Sequence, residues 1–310
     1  MNAQALRRAS VAAVSLILAG GLWCQTYTVS VSSPSLSYSL TGNAEAAGTV
    51  TLKKSSTVKN ASSFYVVFKL LSLSSTASSG GGSLSYGLYK SSSSTTALSL
   101  TGSPSSSDEV LSGSIAAGSA SGSVSYVFRV SNSTFPASGT YTAKFTATVY
   151  KGNYSSSGTK TTRGSATITA TVTVGKIASV AVVGGASDSF SFTSATSSPN
   201  YTLSLGDLTA STTGTAYILV LSNSTYSLSL TSANKGRLLN SSDSSAIGYT
   251  VTVNSGSTYS LTSATTIVSG ASATYSAAAR HALLFKLSGY GSNPSAGTYT
   301  DTIIVTVAAS

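Results

Sequence analysis

One phrase occurs twice in this chain: PASGTYTAKFTATV at Pro136–Val149 and PSAGTYTDTIIVTV at Pro294–Val307. Both copies alternate apolar with polar residues, which is the period-two pattern of a half-buried β-strand. The first copy is followed, after a turn, by another alternating run at Ala166–Val174, whereas three residues follow the second copy. We therefore predict two related β domains in tandem, of which the second lacks its last strand and exposes a sheet edge.

The composition favours strands along the whole chain. Of the 310 residues, 41% are hydrophobic and 8% are charged, and Thr, Val, Tyr and Ile are preferred over Glu, Lys and Gln. β-Branched and aromatic side chains suit a pleated surface. Clusters of Ser, Gly, Asn and Pro separate the alternating runs, so we predict an all-β protein of two tandem antiparallel sandwiches. The boundary is placed near Gly175-Lys176, giving domains at 25–175 and 176–310.

Each domain is predicted to hold about seven strands. In the first they are Tyr27–Val31, Thr49–Lys53, Phe64–Leu71, Leu84–Tyr89, Val124–Val130, Thr140–Tyr150 and Ala166–Val174. In the second they are Ser189–Phe192, Tyr201–Leu205, Ala216–Leu221, Tyr226–Leu230, Tyr249–Val253, Ala282–Leu287 and Thr298–Val307. The run from Ile168 to Val183 is nearly continuous, so its first part is compatible with either domain.

Residues 1–24 are predicted to be a secretory signal. Arg7 and Arg8 precede an apolar run at Val11–Leu22 that is too short to span a bilayer. Cleavage is compatible with the small residues at 19–21 or with a site just after Cys24, and lipidation of Cys24 is a further alternative. No later run predicts a transmembrane helix. We expect an exported protein that is soluble or assembled at a surface.

The net charge of +10 is unevenly distributed. Residues 25–175 carry ten Lys and Arg against three acids, whereas residues 176–310 carry five against four. A basic first domain is compatible with binding to anionic surfaces or polysaccharides. The alternative is scattered solubilising lysines, with Lys90 or Lys144 on solvent faces. Nucleic acid is not an expected partner, because no nucleic-acid-binding module accompanies the charge.

The sequence contains few candidate catalytic residues. His281 is the only histidine, and it is interpreted as a surface residue at the start of a strand. Asp108 and Glu109 are the only adjacent acids, and neighbouring residues of an extended segment point apart. No G-x-S-x-G motif occurs, and Cys24 is the only cysteine, which excludes an internal disulfide. We therefore predict a non-enzymatic protein without a metal or cofactor.

The second domain resembles the spore coat protein U family, the pilin-type domain of archaic chaperone–usher fibres. The resemblance covers most of residues 200–307. It is carried by Leu205–Thr209, Leu221–Asn223, Tyr226–Leu238, Ile247–Val253 and Ala296–Ile303, of which the last is the most specific. The first domain shows only the Gly-Thr-Tyr-Thr strand and the general layout, and the cysteines common in the family are absent.

This resemblance implies an immunoglobulin-like, pilin-type layout for the two sandwiches, of which the second is incomplete. Its groove is filled first by a strand of a periplasmic chaperone and then, at an usher, by the N-terminal strand of a neighbouring subunit. The protein would then pass through the periplasm to the cell surface, a fimbrium or the medium. The expected acceptor edge is Tyr299, Ile303, Val305 and Val307. Tyr141 and Tyr299 are expected to start their strands with the hydroxyl tied to backbone.

A complete first domain joined to an incomplete second one implies a tip adhesin, with residues 25–175 contacting a host or abiotic surface. The alternative is a structural coat or matrix protein of tandem sandwiches assembled without an usher. The segment Gln25–Val31 separates two positions in a fibre: a tip subunit folds it into its own first domain, and a shaft subunit leaves it protruding as a donor strand.

Overall fold

The structure is a computed structural model that describes residues 11–12, 26–75, 83–191, 200–275, 277–288 and 294–310. Apart from Val11–Ala12, the predicted signal segment 1–24 lies outside the described residues. The described chain is built of strands with a single short 3₁₀ turn, which confirms the all-β prediction. None of it forms a helix long and apolar enough to cross a membrane. It divides into two compact units, one holding residues up to 175 except 135–138, the other holding 135–138 and residues from 176 onward.

The first unit is a sandwich of two five-stranded sheets. Its strands are β1 (Val11–Ala12), β2 (Tyr27–Ser32), β3 (Ser35–Ser37), β4 (Ala44–Lys54), β5 (Ser62–Ser75), β6 (Tyr86–Tyr89), β7 (Leu111–Ile115), β8 (Ser121–Val130), β9 (Gly139–Lys151) and β10 (Thr162–Val174). One sheet has the order β1-β2-β4-β8-β6 and the other β3-β10-β9-β5-β7. All pairs are antiparallel except β3 with β10.

The core of the first unit lies between these sheets. Alternate residues of each long strand point inward, and the largest of them are at most 2% exposed: Phe64, Phe68, Tyr126, Phe128 and Phe145. The hydroxyl of Tyr126 donates a hydrogen bond to the Ser32 carbonyl at 2.8 Å, and burial raises its pKa. Its ring lies over Gly48, where a Cβ would come within 2.1 Å of Tyr126 Cζ. Only glycine fits beneath this ring.

The second unit has one seven-stranded and one three-stranded sheet. Its strands are β11 (Ala178–Val183), β12 (Thr213–Ser222), β13 (Tyr226–Ser232), β14 (Arg237–Asn240), β15 (Ala246–Val253), β16 (Thr258–Tyr259), β17 (Thr265–Ala271), β18 (Ala279–Ser288), β19 (Tyr299–Thr300) and β20 (Ile303–Ala309). The larger sheet has the order β11-β12-β18-β15-β14-β19, with β16 beside β15, and the smaller has the order β17-β13-β20.

The predicted strands of the first unit are all present, most of them longer than predicted, and the short strands β3 and β7 were missed. In the second unit three predictions were wrong, one of them because Thr298–Val307 is divided into β19 and β20. Residues 189–191 and 201–205 form no strand, while Phe192 lies outside the described residues. Leu205 packs against the core without a strand ladder, which shows that apolar alternation alone does not establish pairing. The edge beside β12 is filled instead by β11.

Candidate functional site

Strand β20 has a neighbour on one side only among the residues that the structure describes. It pairs with β13 in an antiparallel ladder of seven residue pairs, from Ile303–Ser232 to Ala309–Tyr226. No described strand pairs with its other side, so the three-stranded sheet ends at β20. Alternate backbone N–H and C=O groups of such an edge strand point away from its single partner and are available to a further strand.

The core-facing side chains of β20 are incompletely covered. Ile303, Val305 and Val307 pack against the core of the second unit, yet each is only partly buried. Their counterparts in the first copy of the phrase are all 0% exposed: Phe145, Ala147 and Val149. The difference follows from β10, which pairs with β9 over twelve residue pairs. The second unit has no described strand in that position.

Strand β20 also comes close to β11, the first strand of the same unit. Cα atoms of β11 and β20 approach within 8 Å, but no ladder joins the two strands. Val180 of β11 packs against the same core as Val305 and is also only partly buried. The two strands therefore border an apolar groove at the edge of the sandwich. Ile304, on the opposite face of β20, is 57% exposed.

The structure brings together three of the four residues predicted for the acceptor edge. Ile303, Val305 and Val307 share the core-facing side of β20, whereas Tyr299 lies on β19 and pairs with β14 in the larger sheet. The Tyr299 hydroxyl donates to the Ser295 carbonyl at 2.9 Å, the backbone bond expected from the sequence. We use the name acceptor edge for the free side of β20 with Ile303, Val305 and Val307.

Asp301 holds the chain where it leaves one sheet for the other. Its Oδ1 accepts from the backbone N–H groups of Asn234 at 3.0 Å and Thr302 at 2.7 Å. Its Oδ2 accepts from the hydroxyls of Ser232 at 2.5 Å and Tyr249 at 2.6 Å. Ser232 ends β13 and Tyr249 lies on β15, so this carboxylate ties both sheets to the start of β20. Hydrogen bonds to a charged acceptor are the stronger ones in proteins.

The electrostatics of this cluster keep the phenol protonated. Burial raises the pKa of Tyr249, and its hydrogen bond to the Asp301 carboxylate raises it further. The phenolate would lie beside a negative charge, so the hydroxyl remains a donor. The sequence analysis missed Asp301, although an acid inside an otherwise apolar and Thr-rich strand phrase was a signal.

His281 is not the surface residue that the sequence predicted. It is 8% exposed on β18, because its side chain points into the sandwich. Asn254 accepts the Ala282 N–H through Oδ1 at 2.8 Å, so its amide nitrogen faces His281 Nδ1 at 3.2 Å. Nδ1 is then the acceptor, and Nε2–H donates to the Tyr226 hydroxyl at 2.9 Å. Burial lowers the pKa of His281, which favours this neutral form.

The acids considered for catalysis do not share a site. Asp108 is exposed and forms an ion pair with Lys90 at 3.5 Å. Glu109 accepts hydrogen bonds from the backbone and hydroxyl of Ser105 at 2.7 and 2.9 Å. Within the described ranges, no group of three or more His, Cys, Asp or Glu residues is placed to hold a metal ion. Asp108 and Glu109 therefore have different partners, Lys90 and Ser105.

The first unit contains an apolar cavity of about 250 Å³ at the end of its sandwich where β9 begins and β10 ends. Leu84, Tyr86, Phe128 and Val172 supply much of its lining. The polar side chains that line it belong to serine, threonine and tyrosine, and none of the lining side chains is charged. This cavity offers burial for an apolar group but no chemistry that identifies one.

The sequence matched no protein-family model and no curated protein sequence. Among solved structures, the chain is similar to one from the pre-assembly complex of the chaperone CsuC with the tip adhesion subunit CsuE, from the archaic chaperone–usher Csu pili of Acinetobacter baumannii. That similarity has a TM-score of 0.49 and 13% identity, over 90% of this chain and 99% of the other.

A second similarity is to CfaE, the adhesive subunit of the CFA/I fimbria of enterotoxigenic Escherichia coli. It has a TM-score of 0.31 and 14% identity, over 78% of this chain and 81% of the other. The resemblance to the spore coat protein U family stays a prediction. Function is therefore inferred from the geometry of this chain itself.

Proposed function

We propose that the protein is a non-enzymatic two-unit adhesin at the tip of a surface fibre, joined to the fibre by donor-strand complementation. The acceptor edge carries this proposal. Its backbone groups have no described ladder partner, and Ile303, Val305 and Val307 are only partly covered. An extended segment with alternating apolar residues would pair with these backbone groups and cover these side chains, because it adds main-chain hydrogen bonds and inserts its own side chains between the two sheets.

Two observations favour the tip over a place within the shaft. The first unit already contains its last strand, β10, and its core is closed. The segment predicted to distinguish the positions, Gln25–Val31, is described from residue 26, and its strand β2 pairs with β4. Val29 and Val31 are each 3% exposed in the first unit's core. A strand committed in this way is not free to be donated to a neighbour.

The proposal implies three kinds of partner: a periplasmic chaperone that covers the acceptor edge during export, an usher, and one fibre subunit that supplies the final donor strand. The second unit is then the anchor, and the first unit presents a surface to the ligand.

A fused strand tests the acceptor edge. A copy of Thr162–Val174 is attached after Ser310 through a flexible Gly/Ser linker, so that it is free to pair with β20. We expect the second unit to gain about 3 kcal/mol in free energy of unfolding, at roughly 1 kcal/mol for each newly covered aliphatic side chain. Amide hydrogen exchange in β20 should slow in parallel.

The control is the same fusion with Ile168→Asp and Val172→Asp in the copied strand, which cannot place two charges in the core. Equal stability and exchange for the two fusions would rule out strand addition at β20 and favour a coat protein that packs laterally.

Limited proteolysis tests the tip position. Because Val29 and Val31 are part of the first unit's core, β2 should resist cleavage until that unit unfolds globally. Removal of residues 26–32 from a first unit that remains folded would mean that the segment is available as a donor strand, and the tip position would be wrong.

A further inference from the structure

Six of the ten basic residues between 25 and 175 lie at one end of the first unit. We call this end the basic pole. It is formed where β2 and β10 begin and where β4 and β9 end, and its basic residues are Lys53, Lys54, Lys59, Lys151, Lys160 and Arg163. The chain leaves the unit at the other end of β10, after Val174. Eleven residues of extended strand separate Arg163 from Val174, a distance of about 35 Å.

Backbone hydrogen bonds assemble the basic pole from separate loops. In one sheet, the N–H of Lys54 donates to Ala120 at 2.8 Å. In the other, the N–H of Lys151 donates to Thr161 at 2.9 Å, which places Lys151 beside the segment that carries Lys160 and Arg163.

Contacts between the sheets complete this end of the unit. The guanidinium of Arg163 lies over the Tyr27 ring, 4.4 Å from its centroid. A Cβ added at Gly164 would come within 3.0 Å of Val29, so the start of β10 lies directly against β2.

No acid neutralises this end of the unit. Residues 25–175 contain three acids, and each is engaged elsewhere. Glu45 pairs with Arg129 at 2.5 Å, Asp108 pairs with Lys90, and Glu109 bonds Ser105. The basic pole therefore carries six positive charges with no carboxylate within ion-pair distance in the described chain, and four of its lysines are exposed: Lys53, Lys59, Lys151 and Lys160. Like charges gathered in this way repel one another.

We propose that the basic pole binds an anionic polysaccharide, through the sulfate or carboxylate groups of its sugars. This inference rests on the proposed function, since it assigns a ligand class to the unit that presents a surface. Four of the six basic residues are exposed lysines, whereas Lys54 is 8% exposed. Exposed lysines act as mobile point charges and do not require the planar geometry that arginine reads. A flexible polymer with one charge every few ångströms matches charges spread over several loops.

The same end of the unit fits nucleic acids and membranes poorly. A single-stranded nucleic acid needs aromatic faces for its bases, but the Tyr27 face is covered by Arg163. The described pole has no helix to enter a groove of a duplex. Membrane insertion needs exposed apolar side chains, whereas Val58 is 7% exposed and Tyr27 is partly buried.

The experiment compares two triple variants of the full chain with the same net charge. The pole variant carries Lys53→Gln, Lys151→Gln and Lys160→Gln. The control variant carries Lys69→Gln, Lys90→Gln and Lys144→Gln, three exposed lysines of the same unit outside the pole. Binding is measured to heparin, to neutral dextran, to a single-stranded oligonucleotide and to phosphatidylserine vesicles, over a series of salt concentrations. Unfolding curves check that both variants are folded.

We expect wild type and the control variant to bind heparin similarly and the pole variant to bind roughly tenfold or more weakly. The salt dependence of the pole variant should also be less steep, by roughly one in log–log slope for each lysine removed. Equal weakening in both variants would show that net charge alone is responsible and would overturn the proposal. The absence of heparin binding by wild type would overturn it as well. Tighter binding to the oligonucleotide or the vesicles would overturn the assignment to polysaccharide.

The donor-strand fusion reports on β20 and this comparison on the other unit, so either proposal can fail without the other.

Discussion

The two copies of the repeated phrase have different structures. In the first unit the phrase forms β9, one continuous strand of 13 residues with a partner on each side. In the second unit it is split into β19 and β20, which belong to different sheets. The split falls at Asp301, which occupies the position of Ala143 in the first copy. A buried alanine lets the strand continue, whereas the Asp301 carboxylate collects hydrogen bonds from both sheets.

The copies also differ in what lies beside them. β10 covers β9 and brings its inward side chains to full burial, and the corresponding side of β20 has no described strand. The burial of a strand residue therefore depends on the neighbouring strand as much as on the sequence of its own strand. Three experiments test this comparison, in order of the expected effect.

Asp301→Ala gives the second copy the residue of the first. Because the change removes the acceptor of four hydrogen bonds, we expect the second unit to lose about 3 kcal/mol in free energy of unfolding. Urea unfolding measures the loss. The control is Asp207→Ala, at an exposed acid of the same unit, which should stay within roughly 0.5 kcal/mol of wild type. Similar effects for the two changes would show that Asp301 does not hold β20.

The valines at Val149 and Val307 are identical residues at matching positions, so truncating each isolates the effect of the neighbouring strand. Val149 is 0% exposed, and Val149→Ala should cost the first unit about 2 kcal/mol. Val307→Ala should cost the second unit roughly half as much, because Val307 is only partly buried. In the fusion with an added strand, the cost of Val307→Ala should rise toward that of Val149→Ala. An unchanged cost would mean that the strand does not cover Val307.

The pH dependence near neutrality should be confined to the second unit, because His281 is the only histidine. Its pKa in the folded state is lowered by burial from the ordinary value of 6.5. As the pH falls through about 6.5, His281 binds a proton in the unfolded chain but not in the folded unit. The contribution of the neutral, buried histidine to the free energy of unfolding is therefore present above this pH and decreases below it. Urea unfolding at about pH 8 and about pH 5.5 measures the loss.

His281→Gln removes the titrating group and should remove most of this difference, although it lowers stability at both pH values by disturbing the bonds to Tyr226 and Asn254. A pH dependence that survives the substitution would assign the effect to other groups. A pH dependence of equal size in the first unit, which has no histidine, would contradict the comparison of the two units.

Sequence reasoning predicted the fold class and the strands of the first unit because their alternation is long and regular. It failed where polar residues decide the geometry. Residues 201–205 alternate like a strand but form no ladder, and Leu205 packs against the core. His281 was placed on the surface because its partners, Tyr226 and Asn254, are 55 and 27 residues away in the chain. Such partners have no local signature.

For the candidate site, the sequence predicted an open side on the strand of the second phrase, and the structure places the predicted residues on two different strands. Three predicted residues share the core-facing side of β20, and Tyr299 belongs to the other sheet. The basic pole was visible in the sequence only as an excess of lysine. Its concentration at one end depends on how four strand ends and their loops meet, which spacing along the chain does not reveal.

The sequence by itself determined that the chain is built of β-strands and that one strand phrase occurs in it twice. Alternation with a period of two is enough for this, because it records which face of each strand avoids water. Only the tertiary structure decided that Asp301 divides that phrase between two sheets, that three half-covered side chains border a groove, and that six cations gather at one pole. These features depend on contacts between residues distant in the chain, and chain folding alone brings them together.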